Sequence, residues 1–408
     1  MAKQNKPAIR FKEFTDAWEQ RKLGDMMNVT SVKRIHQSDW TDSGVRFLRA
    51  RDIVAAAKNE EPDDYLYISK EKYEEYSALS GKVGVSDLLV TGVGTIGVPY
   101  LVRNLEPLYF KDGNIIWFQN SDKIDGKFLF YSFSAEQIQG FINESAGIGT
   151  VGTYTIESGK KTPISLPNQI EQAKVGEFFQ QLDNLITLHQ RKYDKLTKVK
   201  KAMLEKMFPE NGSPYPEIRF KGFTDAWKQR KFREQYQKIT EKNDLSFGAD
   251  KIISVANMYF KSDVKQSDDD YMRSYNIMRL GDIAFEGNKS KHFAHGRFVE
   301  NTIGDGIVSH VFDVFRPIAD YDLLFWKYLI NYEGVMGRIM TRCTKASTMM
   351  TNLVADDFLA ESILVPSIQE QEKIGEYFLA IDRLITLHQR KLEKLKNIKK
   401  ACLEKMFV

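Results

Sequence analysis

The chain reads IRFKEFTDAWEQRK from Ile9 to Lys22 and IRFKGFTDAWKQRK from Ile218 to Lys231, so only two of the fourteen positions differ. A second stretch, LITLHQRK, occurs unchanged at Leu185–Lys192 and at Leu384–Lys391. The two repeats alternate along the chain, which therefore consists of two similar halves. Internal self-similarity of this kind indicates a repeated structural unit and decides the architecture before any other feature does.

The segments between the repeats, residues 28–165 and 237–364, have little sequence in common. Each contains short apolar runs punctuated by Gly, which predict strands, and stretches of helical spacing at residues 127–143 and 321–337. Strands are predicted at residues 45–50, 87–91, 98–102 and 114–118 in the first half and at 251–255, 282–285, 296–299 and 310–315 in the second. We therefore predict two α+β domains whose own sequences differ. The repeated segments that flank them, which we call the frames, are nearly constant.

Two long helices are predicted at residues 169–208 and 368–407, which contain no Pro and place apolar residues at seven-residue steps. Such a stripe is buried only against a partner, and the repeated halves favour an antiparallel pair of helices. The alternative is that each helix packs on its own globular half. The central positions of the seam are Leu182, His189 and Leu196 in the first helix and Ile381, His388 and Leu395 in the second. His189 and His388 occupy the same heptad position, and we expect their rings to lie close together as packed residues.

The sequence thus predicts an α+β fold class, with two pseudo-twofold-related α+β domains separated by two long antiparallel coiled-coil helices. The predicted domains are residues 1–168 and 213–367. The predicted helical spacers are residues 169–212 and 368–408.

Composition restricts the class of protein further. The 408 residues include 59 Lys and Arg, 55 Asp and Glu, and only two cysteines, Cys343 and Cys402. Residues 169–208 contain eight basic and five acidic residues, and residues 368–408 contain nine and six, so the basic excess lies on the helices. The few cysteines and the absence of an apolar segment after Met1 favour a reduced, cytoplasmic protein. No apolar run approaches the roughly 20 residues of a membrane span.

Motifs of enzymes are missing or lack their structural context. Gly92–Gly97 reads GVGTIG, but Pro99 and a predicted strand follow where a dinucleotide-binding fold requires a helix. A tight loop that brings backbone close to a ligand is the better interpretation. Asp125 and Lys127 could belong to a nuclease-like carboxylate and lysine set, although surface turns explain them more simply. We find no catalytic centre and no cluster of metal ligands in the sequence.

The repeated segments resemble those of a known family. Pro167–Gln172 (PNQIEQ) and Pro366–Gln371 (PSIQEQ) lead into the long helices, and LITLHQRK follows in both. Together with WEQRKLG at Trp18–Gly24 and DLLVTG with GTIG between Asp87 and Gly97, they resemble the DNA-specificity subunit of type I restriction-modification systems. The second half has GDIAFEG at Gly281–Gly287 without the following GTIG.

The resemblance implies a recognition subunit without chemistry of its own. Each variable domain would be a target-recognition domain that reads one half of a bipartite double-stranded DNA site in the major groove. The long helices would set the gap between the half-sites. Two methyltransferase subunits, and motor-endonuclease subunits in addition, would be the partners. S-adenosylmethionine, ATP and Mg²⁺ are expected on those partners, and no cofactor is expected on this chain.

Candidate DNA-contacting residues follow from polar or basic side chains near the predicted loops. They are Arg46, Arg49, Arg51, Thr91, Gly92, Thr95, Thr153 and Tyr154 in the first domain, and Asn257, Asn288, Lys289, Lys291, His292, Lys345 and Ser347 in the second. Two other functions stay open at this point. The chain could be a non-catalytic scaffold that bridges two protein partners, or a nuclease that uses Asp125 and Lys127.

Overall fold

The computed structural model describes residues 5–146, 152–209, 212–262, 268–291, 293–346 and 350–408. The chain divides into two compact units. The first consists of Met1–Gln190 together with Arg390–Val408, and the second consists of Arg191–Gln389. Each unit therefore contains the first part of one long helix and the last part of the other.

The first unit combines strands and helices in mixed order. Its strands are β1 (Glu19–Lys22), β2 (Asn28–Thr30), β3 (Trp40–Thr41), β4 (Val45–Leu48), β5 (Leu66–Ile68), β6 (Leu88–Thr91), β7 (Pro99–Leu101), β8 (Leu108–Phe110), β9 (Ile115–Gln119) and β10 (Pro163–Leu166). Its helices are α1 (Leu23–Met26), α2 (Ala50–Ala57), α3 (Lys70–Ser80), α4 (Gly126–Phe133), α5 (Glu136–Ser145), α6 (Ile156–Lys161) and the first part of α7 (Gln169–Met207).

Two four-stranded sheets build the first unit. One has the order β2-β9-β6-β7 and is antiparallel throughout, and the other has the order β3-β5-β4-β8 with β4 and β8 parallel. The β9 strand is apolar at successive positions because its two faces contact different cores. Ile116 and Phe118 pack in the core that includes α4 and the long helices, whereas Ile115 and Trp117 pack in the core beneath the second sheet.

The second unit begins and ends with elements equivalent to those of the first and differs between them. Its strands are β11 (Lys228–Lys231), β12 (Tyr236–Ile239), β13 (Ile253–Ser254), β14 (Tyr259–Phe260), β15 (Asn276–Met278), β16 (Ile283–Glu286), β17 (Arg297–Glu300), β18 (Gly306–Val308), β19 (Val314–Pro317), β20 (Thr344–Ala346), β21 (Thr351–Leu353) and β22 (Ser362–Val365). Its helices are α8 (Phe232–Gln235), α9 (Asp269–Arg273), α10 (Leu323–Ile330), α11 (Glu333–Cys343), α12 (Ala355–Ala360) and the first part of α13 (Ile368–Lys405).

One sheet of the second unit, β12-β19-β16-β17, is antiparallel and has the same strand order as β2-β9-β6-β7. The rest of this unit differs from the first. The two-stranded sheets β13-β14 and β15-β18 stand where the first unit has its second four-stranded sheet, and a further hairpin, β20-β21, lies between α11 and α12. The main core of the second unit contains Phe285, Phe298, Phe325, Trp326 and Phe358.

The two long helices pack antiparallel. In the first unit Phe407 of the chain end contacts Phe179, with ring centres 5.6 Å apart, and Lys399 forms an ion pair with Asp183 at 2.6 Å. In the second unit Phe208 stacks on Phe378 at 5.9 Å, and Lys200 pairs with Asp382 at 2.7 Å. Residue numbers rise along one helix as they fall along the other, which defines an antiparallel pair. The predicted α+β fold class with long antiparallel helices is confirmed.

The repeated frame makes the same buried contacts in both units. Arg10 donates two hydrogen bonds to the buried carboxylate of Glu171, at 2.6 and 2.7 Å, and Arg219 does the same to Glu370 at 2.6 and 2.8 Å. Bidentate pairs of this kind fix both distance and orientation. The frame strands also match, because β1 pairs with β10 and β11 pairs with β22 in equivalent antiparallel registers. Constant sequence therefore corresponds to constant contacts.

Some local predictions were wrong in detail. The predicted strand at residues 310–315 begins only at Val314, because a turn closed by the hydrogen bond from the Phe312 amide to the Ser309 carbonyl precedes it. Both predicted helical stretches are interrupted: α4 and α5 are separate helices, and so are α10 and α11. The GVGTIG segment connects antiparallel neighbours β6 and β7, which confirms that no phosphate-binding helix follows it.

Candidate nucleic-acid interface

The GVGTIG loop of the first unit is held by a network of short internal hydrogen bonds. The Thr91 hydroxyl donates to the Thr95 carbonyl at 2.6 Å and accepts from the Val98 amide at 2.9 Å. Gly97 has φ +76°, a conformation that side chains rarely adopt. Thr91 itself is fully buried, whereas Gly94 and Thr95 are exposed at the tip. The loop thus presents small residues and backbone groups on a buried threonine base.

Gly92 joins this loop to the segment that follows α5. The Tyr154 amide donates to the Gly92 carbonyl at 2.9 Å, and a Cβ at Gly92 would lie only 2.6 Å from the Tyr154 carbonyl oxygen. Tyr154 is buried and its hydroxyl bonds that of Thr162, and burial raises its pKa. Thr153 is exposed beside it. The structure therefore brings Thr91, Gly92, Thr95, Thr153 and Tyr154 together, with only the two threonines at 95 and 153 on the surface.

The three candidate arginines of the first unit lie around β4 and α2 instead. Arg49 donates hydrogen bonds to both Asp52 and Asp64. Burial alone would lower the pKa of Arg49, but these two carboxylates outweigh it and raise the pKa. Arg51 pairs with Asp64 at 2.6 Å, and the Arg46 guanidinium lies 3.9 Å from the centre of the Tyr65 ring. The charges of Arg49 and Arg51 are thus shared with local carboxylates.

The second unit has an equivalent of the Gly92 contact that the sequence did not reveal. The Thr351 amide and hydroxyl donate to the Gly287 carbonyl at 2.9 and 3.0 Å, and a Cβ at Gly287 would lie 2.2 Å from the Thr351 carbonyl oxygen. Gly296 begins the return strand with φ +78°, as Gly97 does in the first unit. The loop from Gly287 to Gly296 has ten residues, whereas the loop from Gly92 to Gly97 has six. The two loops occupy the same place in the sheet although their sequences differ.

Candidate residues of the second unit gather around this longer loop. An isolated bridge pairs Asn288 with Met350, and Lys345 lies opposite Asn352 on the β20-β21 hairpin. Asn257 stands in the turn between β13 and β14. The exposed side chains are those of Asn257, Asn288, Lys289, Lys291 and Lys345. His292 and Ser347 lie outside the described residues, and so their placement is not tested.

Arg297, at the start of β17, contacts the segments that carry several of these candidates, and sequence analysis did not select it. Its Nε donates to Glu286 Oε2 at 2.9 Å, and its Nη2 donates to the Ala256 carbonyl at 2.7 Å. The guanidinium carbon also lies 5.1 Å from the centre of the Phe293 ring. Arg297 thus contacts three chain segments at once. An arginine directly after a strand-opening glycine was the only signal for it in the sequence.

The seam residues occupy both units. Leu182 and Leu395 pack together in the core of the first unit, and Ile381 is buried in the second. His189, Leu196 and His388 are half-buried. His189 belongs to the first unit and His388 to the second, so the expected proximity of their rings stays a prediction.

Asp125 and Lys127 have structural roles. Asp125 accepts a hydrogen bond from the Phe128 amide at 2.9 Å and thereby caps α4, and Lys127 pairs with Glu177 at 2.5 Å. In the part of the chain that the structure describes, no three His, Cys, Asp or Glu residues form a group that could hold a metal ion. Within the same residues, no helix is long and apolar enough to cross a membrane.

Comparison with known proteins assigns the family. The family described as the type I restriction modification DNA specificity domain matches this chain twice, at residues 15–198 and 210–397. The chain belongs to this family. The two matches follow the two repeats, and together they span almost all of the sequence.

Individual relatives of this specificity-domain chain agree with the assignment. It is 27% identical over 205 residues to the specificity subunit of the type I restriction enzyme MjaVIII from Methanocaldococcus jannaschii. It is 29% identical over 170 residues to a Haemophilus influenzae protein named as a type I restriction enzyme specificity subunit. The matched regions cover 47% and 40% of this chain, and the chain spans less than half of the two relatives, 45% and 41%.

A solved structure shows the same fold. The S subunit of a type I restriction-modification system from M. genitalium superimposes with a TM-score of 0.61 over 99% of both chains, at 13% sequence identity. At such low sequence identity the superposition shows a shared fold, and it does not assign roles to individual residues.

Proposed function

We propose that this chain is the DNA-recognition subunit of a type I restriction-modification complex, in which each unit reads one half of a bipartite site. The observation that supports this most directly is the pair of equivalent loops. Both loops connect equivalent strands, and in both a glycine carbonyl accepts from a backbone amide, of Tyr154 in one unit and of Thr351 in the other. The first loop is GVGTIG, and the second is longer and contains lysines. A constant scaffold with different exposed side chains suits the reading of two different base sequences.

Adenine methylation and DNA cleavage would be performed by partner subunits in the cytoplasm. We infer two methyltransferase subunits because exposed residues of the helices repeat. Leu185 and Leu188 are 42% and 45% exposed, and the identical Leu384 and Leu387 are each 45% exposed. Exposed leucines of this kind mark a surface for a protein partner. A motor-endonuclease subunit would join that assembly.

The helices also carry matching shallow grooves, which support the same stoichiometry. The groove on α7 is lined by Arg191, Asp194, Lys195, Lys198, Val199 and Ala202. The groove on α13 is lined by the equivalent Arg390, Glu393, Lys394, Asn397, Ile398 and Ala401. Each combines an apolar floor with a basic rim, so that one kind of partner helix could bind both. S-adenosylmethionine, ATP and Mg²⁺ would bind the partners, and this chain would bind no cofactor and catalyse no step.

Methylome sequencing tests this function. A host without other DNA methyltransferases would express this chain together with its cognate methyltransferase subunit. We expect an adenine-methylated motif with two specific halves and a fixed gap, which is absent when either protein is expressed alone. Exchange of residues 213–367 for those of another family member should change one half of the motif and leave the other. A soluble complex of the two proteins with no modified motif would favour the scaffold function instead.

A further inference from the structure

The described residues of the second unit's loop, 287–291 and 293–296, make several contacts with one another and with β16. The Ser290 amide donates to the Phe293 carbonyl at 3.0 Å, and the Phe293 amide donates to the Ser290 hydroxyl at 3.1 Å. At Gly296 a Cβ would lie 2.6 Å from the Glu286 carbonyl oxygen, so the backbones approach as closely as glycine permits. These contacts hold Ser290, Phe293 and Gly296 in place beside the exposed Asn288, Lys289 and Lys291.

Three lysines near this loop have no carboxylate partner among the residues that the structure describes. Lys289, Lys291 and Lys345 are exposed and make no ion pair within the described residues. Other cations of the same unit do have carboxylate partners, for example Arg316 with Asp282 and Arg342 with Glu361. Uncompensated lysines beside asparagine amides form the combination that double-stranded DNA accepts, with phosphates for the ammonium groups and base edges for the amides.

Glu286 and Arg297 lie beneath this surface and connect its parts. The side chains are 8% and 27% exposed, and their pair joins β16 to β17 at 2.9 Å. Arg297 also bonds the Ala256 carbonyl, next to Asn257, and packs against Phe293 in the loop. Asn288 Nδ2 donates to the other carboxylate oxygen of Glu286 at 3.4 Å, which directs the side-chain amide of Asn288 toward that carboxylate. Both candidate asparagines therefore depend on one ion pair for their positions.

We propose that the Glu286–Arg297 pair is the positioning element of the second unit's DNA-reading surface, which holds the turn with Asn257 and the loop with Asn288 in register for contacts with one half-site. This inference rests on the proposed function. Neither residue touches DNA in this proposal, because both act through the segments that they hold. Arg297 suits the role because its rigid planar fork donates from two nitrogens in fixed directions, whereas the ammonium group of lysine is a single flexible point charge.

The first unit lacks the pair. Val98 stands after Gly97, where Arg297 stands after Gly296, and the six-residue loop is held by backbone bonds and by the Thr91 hydroxyl. Loss of the pair should therefore affect only the half-site that the second unit reads. The half-site read by the first unit therefore serves as the internal reference in the experiment.

The test is methylome sequencing with Arg297→Met in the full chain, together with the methyltransferase subunit. The half of the motif read by the second unit is identified first by exchange of residues 213–367. For Arg297→Met we expect that half to tolerate at least one additional base, with discrimination reduced about tenfold or more, a size typical of one base contact. The other half and the gap should be unchanged.

Arg316→Met is the matched control. Arg316 is 24% exposed and pairs with Asp282 and Glu241, but these partners lie directly before β16 and after β12, at the other end of β16 from the loop. Its loss should lower the amount of folded protein and the extent of methylation without a change of motif. If both variants give the same result, or if Arg297→Met leaves the second half unchanged, the inference is overturned.

Glu286→Gln covers the case in which Arg297→Met does not fold. The amide preserves the shape of the side chain and removes the charge, so the loop should be loosened while the core stays intact. A relaxed second half with Glu286→Gln supports the inference, and an unchanged motif contradicts it. Absence of any bipartite motif with the unaltered chain would instead contradict the proposed function.

Discussion

The two units share the elements that pack against the long helices and differ in the remaining elements. The frame strands, the bidentate pairs of Arg10 and Arg219, and the tyrosine-to-aspartate hydrogen bonds of Tyr131 and Tyr328 recur with nearly the same distances. Beyond the common four-stranded sheet, the first unit has a second full sheet with the helices α2 and α3, whereas the second has short hairpins. Constant contacts therefore lie next to the long helices, and variation is confined to the region that carries the candidate reading loops.

The largest expected effect comes from the aromatic residues at the helix ends. Phe407 contacts Trp18, Phe128 and Phe179 in the first unit. Phe208 makes the equivalent contacts in the second unit, with Trp227, Phe325 and Phe378. Replacement of either Phe by Ala should cost about 3–5 kcal/mol, because a cavity opens in a packed core. Hydrogen exchange should show that Phe407→Ala loosens residues of the first unit, although residue 407 belongs to the second sequence repeat.

The equivalent substitution at the end of the other long helix checks this prediction. Phe208→Ala should loosen the second unit and spare the first. Leu105→Ala serves as a surface control, since Leu105 is 85% exposed. Equal loosening of both units by Phe407→Ala would contradict the view that each unit has its own core.

A smaller effect concerns Glu300, a buried acid of the second unit at a position where the first unit has a leucine. Glu300 lies opposite Ile283 in the sheet, where the first unit has Leu101 opposite Leu88. Both carboxylate oxygens of Glu300 are buried without a hydrogen-bond partner among the described residues. Burial raises its pKa well above the ordinary glutamate value of 4.5, and this outweighs the lowering by Lys327. The folded unit therefore holds a proton that the unfolded chain releases.

The sign of the pH dependence follows from this difference. The stability that the bound proton confers is complete below pH 4.5 and declines as the pH rises toward the raised pKa of the folded state. Glu300→Leu, which installs the residue type of the first unit, should remove this decline and stabilise the second unit by about 1–3 kcal/mol at neutral pH. Hydrogen exchange of the second unit at several pH values measures both the decline in stability and the stabilisation at neutral pH. Glu300→Gln should also abolish the pH dependence, and its persistence in either variant would exclude Glu300 as the source.

Periodicity was sufficient to predict the long helices and the frames, because seven-residue spacing and near-identical repeats are local properties of the sequence. The loop of the second unit could not be aligned with that of the first, since Gly287 and Gly296 are separated by four additional residues and the GTIG motif is missing. Arg49 was a reasonable candidate for DNA contact, but Asp64, fifteen positions away, shares its charge in the folded chain. Pairings between distant segments depend on tertiary packing and leave no periodic signal.

The smallest expected difference separates the two frame tryptophans. Trp18 Nε1 donates to the Glu171 carboxylate at 3.3 Å, whereas Trp227 Nε1 is buried without a partner in the described residues. Replacement by Phe removes similar apolar area from each unit, but only Trp18→Phe also removes a hydrogen bond to a charged group. Trp18→Phe should therefore lower the free energy of unfolding by about 1 kcal/mol more than Trp227→Phe does. The difference is small because a hydrogen bond of 3.3 Å to a carboxylate is long and therefore weak. Hydrogen exchange of each unit's core compares the two losses, and equal losses would mean that the contact of Trp18 with Glu171 adds nothing to what Arg10 already provides.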